Sequence, residues 1–143
     1  MSEENIWESL DLSEDKLKTA YDYLVPQAEN LTTATKSMLK MDIEVSREIS
    51  VGEVKREMII YYLYVIAPFL GNFRKKILHV VEFPDTGRFP VNIWCYLDNT
   101  LIKNVAEKNL LSKVKEILSK TIVTNSIEGL YRQSLEAQKN STK

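Results

Sequence analysis

Residues 57–69, EMIIYYLYVIAPF, decide how this chain folds. After Glu57 their only side-chain hydroxyls belong to Tyr61, Tyr62 and Tyr64. Thirteen residues suit a buried helix as well as a strand, so length does not choose between them. Composition does: β-branched and aromatic residues dominate, and Pro68 with Gly71-Asn72 closes the run. A strand is expected, with Ile59, Tyr61, Leu63 and Val65 on one face and Met58, Ile60, Tyr62, Tyr64 and Ile66 on the other. Both faces are apolar, so each needs a cover.

The segments on either side supply the rest of a sheet. Upstream, LKMDIEV (39–45) alternates Leu39, Met41, Ile43 and Val45 with Lys40, Asp42 and Glu44, the pattern of a half-wet strand. SVGEVK (50–55) reads as the turn between the two strands. Downstream, FRKKILHVVEF (73–83) is a third strand, basic at its start and apolar at its end. In FPDTGRF (83–89) Pro84 presets the entry dihedral, Asp85 is suited to bond its own backbone, and Gly87 is free to take the left-handed conformation. FPVNIWCYL (89–97) is the fourth strand, and DNT (98–100) closes it. No connection between strands is long enough for a crossover, so the strands form an antiparallel meander.

Helices flank the sheet. Ser13 reads as an N-cap, with Glu14 and Asp15 in the first turn. Leu17, Ala20, Tyr21, Leu24, Ala28 and Leu31 then form one apolar stripe, which Pro26 is expected to kink or break. After the sheet, Asn104 with Glu107 and Asn125 with Glu128 have capping-box spacing and start two C-terminal helices. The expected fold is α+β: a four-stranded antiparallel meander with one N-terminal helix and two C-terminal helices, in a single domain over 1–143. Residues 1–12 and 138–143 are read as loosely ordered.

Composition narrows the function classes. The 143 residues carry 19 basic and 20 acidic side chains, a net charge of −1. Phosphate neutralisation supplies most of a nucleic-acid binder's affinity, and the basic excess it needs is absent. The cluster Arg74-Lys75-Lys76, with Lys55, Arg56 and Arg88, is too small to reverse that, and lysines at sheet edges also block unwanted pairing. One cysteine, Cys95, excludes an intrachain disulfide. The acidic opening has no apolar run of signal-peptide length, and the longest apolar stretch is too short to span a bilayer. A cytoplasmic protein without membrane contact is expected, and the two sequons at Asn30 and Asn140 are read as chance.

Chemistry-bearing residues are few. His79 is the only histidine, in an apolar strand where packing with one bonded nitrogen is the ordinary reading. Cys95 shares the aliphatic face with Ile93 and Leu97, which suits an inert buried thiol. One cysteine and one histidine do not assemble a zinc site, and Asp42 with Glu44 reads as a solvated strand face rather than a Mg²⁺ or Ca²⁺ site. No glycine belongs to a phosphate-binding loop. No catalytic residue, metal or cofactor is assigned.

The second sheet face carries the functional expectation. Opposite the aliphatic set Leu63, Val65, Val91, Ile93 and Leu97 stand Tyr62, Tyr64, Trp94 and Tyr96. Each ring buries roughly 150–250 Å², so four together exceed the patch a soluble monomer normally exposes. Either helices cover both faces in three layers, or all helices share one side and the rings meet a protein partner or a second copy of the chain. On the latter reading the chain is a non-enzymatic interaction domain, with Arg74, Lys76 and Arg88 at the charged rim. The alternative is a small-molecule-binding or enzymatic domain, with a cleft between sheet and helices lined by His79 and tyrosines.

Overall fold

The computed structural model describes residues 18–50 and 55–141. The decisive stretch is a strand, β2 (Arg56–Ala67), second in a five-stranded antiparallel sheet. Its neighbours are β1 (Lys40–Ser50) and β3 (Phe73–Phe83), followed by β4 (Arg88–Cys95) and β5 (Thr100–Val105) in simple meander order. Helix α1 (Ala20–Ala34) precedes the sheet, and α2 (Glu107–Leu118) and α3 (Thr121–Ser141) follow it. The class is α+β, as the segregated elements imply.

The fifth strand corrects the expected four. TLIKNV lacks alternation because β4 and β5 slip register between Val91 and Ile93. Asn104, which reads as a helix cap, takes a left-handed φ of 58° inside β5 and donates its backbone N–H to Asn92 Oδ1 at 3.1 Å. The helix begins only at Glu107, with Ala106 as its N-cap. DNT is thus a hairpin turn rather than an exit from the sheet. Asp98 accepts the Thr100 hydroxyl at 2.6 Å and the Lys120 ammonium at 2.7 Å, which ties this turn to the α2–α3 connection. The Lys120 hydrogen bond, then that of Thr100, holds the Asp98 carboxyl well below the usual carboxylate range.

The helix starts also move. Thr19 is the N-cap of α1, and the Asp22 carboxylate accepts its backbone N–H at 2.9 Å. Ser13, residues 1–12, the turn residues 51–54 and the last two residues lie outside the described residues. Asn125 falls within α3, which starts at Thr121 and continues through Gln138 to Ser141. Pro26 does not break α1, although an internal proline costs about 3 kcal/mol. Ala20 and Leu24 on the same helix are fully buried against the sheet, and burying a leucine alone is worth on the order of 2 kcal/mol. Tyr23 adds an edge-on contact with Phe89 at 6.4 Å before the proline and Leu31 packs against the core after it, so packing on both sides carries the helix through.

All three helices lie on one side of the sheet. Tyr61, Leu63 and Val65 of β2, Leu78 and Val80 of β3, and Val91, Ile93 and Cys95 of β4 form one core with Leu24, Leu110, Val114, Ile117, Val123 and Leu130. Helix α1 packs over β1, α2 over β4 and β5, and α3 against β2 and the turn that follows it.

One charge enters this core. Glu82 of β3 is fully buried and accepts the Tyr61 hydroxyl at 3.0 Å, an Arg88 N–H at 2.9 Å and the backbone N–H of Ala20. The three donors satisfy a carboxylate that burial would otherwise strongly destabilise. They also fix where α1 leaves the sheet edge. Burial first, and the Glu82 charge second, push the Tyr61 hydroxyl up to about 12, so it remains a donor at neutral pH.

Candidate interaction face

The side of the sheet away from the helices is built by strand alternation. Glu44, Tyr62, His79, Trp94 and Leu101 are successive partners across all five strands and form one row. The next row runs from Asp42 through Tyr64 to Lys76. These two rows do not follow from simple alternation along β3. The pairing passes from Leu63–Leu78 to Tyr64–Lys76, leaving Ile77 as an extra residue. A bulge of this kind reverses side-chain parity along the strand. His79 and Val81 are odd-numbered on this face, and Arg74 and Lys76 are even-numbered. Ile77 and Leu78 are both fully buried.

The rings meet edge to face. Tyr62 and His79 lie 5.5 Å apart at 89°, His79 and Tyr96 5.3 Å apart at 75°, and Trp94 and Tyr96 6.5 Å apart at 82°. This is the arrangement aromatic quadrupoles favour. The Tyr96 hydroxyl shares a short hydrogen bond with His79 Nδ1. All five rings, Tyr64 included, are half-buried, and Leu101 at the end of the row is 47% exposed. The belt therefore shields itself in part, and no described helix covers it.

Two cations lie among the rings. Lys76 Nζ stands 4.5 Å from the Tyr62 centroid, 5.0 Å from Tyr96 and 5.6 Å from Tyr64. Among the described residues no carboxylate pairs with it. Arg74 stacks 4.1 Å over Tyr64 and bridges Asp42 at 3.2 Å and Glu44 at 3.3 Å. Cations over ring faces are attracted by the π quadrupole, here without full desolvation. Burial, and then the Lys76 charge, lower the His79 pKa, so the ring is neutral at pH 7. Burial raises the Tyr62 and Tyr96 hydroxyls.

The expected site residues divide between the two sides of the sheet. Tyr62, Tyr64, Trp94, Tyr96, Arg74 and Lys76 come together on the open face. Arg88 does not join them, because its guanidinium turns to the helix side to meet Glu82. Arg56 stacks 3.8 Å over Phe83 and reaches Asp85 at 3.5 Å, near the β3–β4 hairpin. His79 faces away from the helices, so a sheet–helix cleft does not contain it, and Cys95 is buried on the opposite face. His79 is instead the hub of the ring belt. Its alternation with Tyr62 and Trp94 was the available signal, while Leu101 was hidden by the unrecognised fifth strand.

Other concavities lie elsewhere. A groove of about 470 Å³ between α3 and the β2–β3 turn is lined by Leu70, Phe73, Lys75, Ser126, Gly129 and Leu130, none of them in the belt. Among the described residues no group of three or more His, Cys, Asp or Glu is placed to hold a metal ion, and no helix is long and apolar enough to cross a membrane. No protein family matches the chain, and neither a curated protein nor a solved structure matches it.

Proposed function

We propose that this chain is a non-enzymatic interaction module that engages a protein partner through the open sheet face. One observation carries the reading: the described helices all pack on the opposite side, leaving a belt of five half-buried rings with a cation at its centre. Tyrosine and tryptophan are enriched at interface centres because each combines a large apolar body with a polar tip. Tyr62, Trp94 and Tyr96 supply the apolar centre, and Lys76 supplies a positive charge that an approaching carboxylate neutralises. The groups on this face suit adhesion better than reaction: a neutral imidazole already bonded to a phenol, and tyrosines held protonated.

The test is light scattering at several concentrations on the wild type and on Trp94→Ala, with circular dichroism to confirm that the variant folds. A concentration-dependent mass that Trp94→Ala abolishes supports the reading in its self-associating form. For a foreign partner, the comparison is capture by immobilised wild type against Trp94→Ala and Tyr62→Ala. A wild type that stays monomeric and captures nothing the folded variants lose sinks the reading.

A further inference from the structure

Charge is unevenly distributed along this chain. Residues 1–17, MSEENIWESLDLSEDKL, hold Glu3, Glu4, Glu8, Asp11, Glu14 and Asp15 against Lys16 alone, a net charge of −5. The 18 basic and 14 acidic residues that remain give the rest of the chain +4. The acidic stretch also carries Ile6, Trp7, Leu10 and Leu12, so it combines carboxylates with large apolar side chains. That is the chemistry the open face complements, with rings to receive apolar groups and a cation among them that no described carboxylate pairs with.

The point of attachment is fixed. Glu82 holds the backbone N–H of Ala20, so the acidic stretch joins the body at the C-terminal end of β3. From there to Lys76 is six residues of strand, about 20 Å, and reaching the other face adds about one sheet-packing distance, near 10 Å. Seventeen fully extended residues span at most about 56–61 Å. The tether is ample. A face-to-face second copy is the weaker occupant, because it brings one +4 body against another.

Resting on the same reading of the face, we propose that residues 1–17 dock in cis over the open sheet face, with their carboxylates toward Lys76 and their apolar side chains against the Tyr62–His79–Trp94 row. The segment then competes with any partner. A partner that displaces it must offer the same chemistry, an acidic peptide with aromatic or aliphatic anchors.

The chain has two tryptophans, Trp7 in the acidic stretch and Trp94 in the belt, so each side of the proposed contact reports separately. Fluorine NMR of the full chain labelled with fluorotryptophan, assigned with Trp7→Phe, follows both at once. The expected result is a Trp7 signal displaced from its position in the synthetic 1–17 peptide. It should return toward that position in Lys76→Glu, and also in wild type at about 1 M salt, where the screening length falls to roughly 3 Å. Arg47→Glu, at the far end of the β1–β2 hairpin, should leave it displaced. A Trp7 signal matching the free peptide at low salt overturns the proposal. So does a displaced signal that answers to Arg47→Glu and not to Lys76→Glu, which places the segment elsewhere. A displacement that grows with protein concentration also overturns it, because the segment is then exchanged between copies. The salt arm needs no substitution and stands if Lys76→Glu fails to fold. None of these failures touches the interaction reading, which light scattering of Trp94→Ala decides.

Discussion

Two opposite charges on β3, six residues apart, face opposite sides of the sheet. Glu82 is sealed under the helices and bound by three donors. Lys76 is held on the open side by three ring faces and no described carboxylate. The first is a structural charge, because burial makes every missing hydrogen bond expensive. The second is only half-buried and is held by weak, non-directional attraction, so an incoming anion can claim it. The two sides of one sheet thus differ in kind, cohesion on one and, on the function proposed above, contact on the other.

Substitutions should break along that division. Glu82→Ala strands the Tyr61 hydroxyl and the Ala20 N–H and releases the partly exposed Arg88 guanidinium to water, and should cost about 2–5 kcal/mol of stability, at roughly 1–3 for each stranded donor. Chemical denaturation reads this directly, and a loss below about 1 kcal/mol would erase the contrast between the faces. Trp94→Ala should weaken association by about 2 kcal/mol if the ring is an interface anchor. Its own fold should lose only about 1 kcal/mol from the edge-on contact with Tyr96. Binding and unfolding measurements on one preparation separate the two numbers, and a stability loss larger than the binding loss would make Trp94 a core residue. Lys76→Met keeps most of the stem and removes the charge, so stability should change by about 0.5–2 kcal/mol, as for a cation–π contact that is only partly desolvated.

The smallest effect is a pH dependence. His79 has a folded pKa below its unfolded value, so between the two the unfolded chain binds more protons. Its contribution to stability is complete above the unfolded value near 6.5 and declines as pH falls through the folded pKa. His79→Asn should flatten that acid limb, and the single histidine makes its NMR titration unambiguous. A His79 that titrates above its ordinary value would contradict the burial seen here.

Most of the fold was legible because burial leaves a period-two trace. Val91, Ile93 and Cys95 against Asn92 and Trp94 declare both faces of β4 without any coordinates. The stretch that decides the fold reads as a strand for a similar reason, its branched and aromatic side chains being poor helix formers. Legibility failed where backbone geometry broke the period. β5 went unseen because a register slip and the left-handed Asn104 disguise it as a helix cap. Arg88 looked like a rim cation because the carboxylate it answers, Glu82, sits in an apolar strand and gives no sequence sign of being buried. Which side the helices occupy was not legible at all, since Leu24, Leu110 and Val123 are equally apolar whichever side they choose.

The extra residue at Ile77 is a parity switch one amino acid wide. Were Ile77 paired into the ladder instead of bulged, every residue from Leu78 onward would stay in place, yet Lys76 and Arg74 would rotate beneath the helices and Lys75 would come out. A strand so regularised would have to choose between burying two cations and abandoning the first half of β3. The chemistry of the exposed side therefore depends on a bulge at a residue that contributes no functional group of its own.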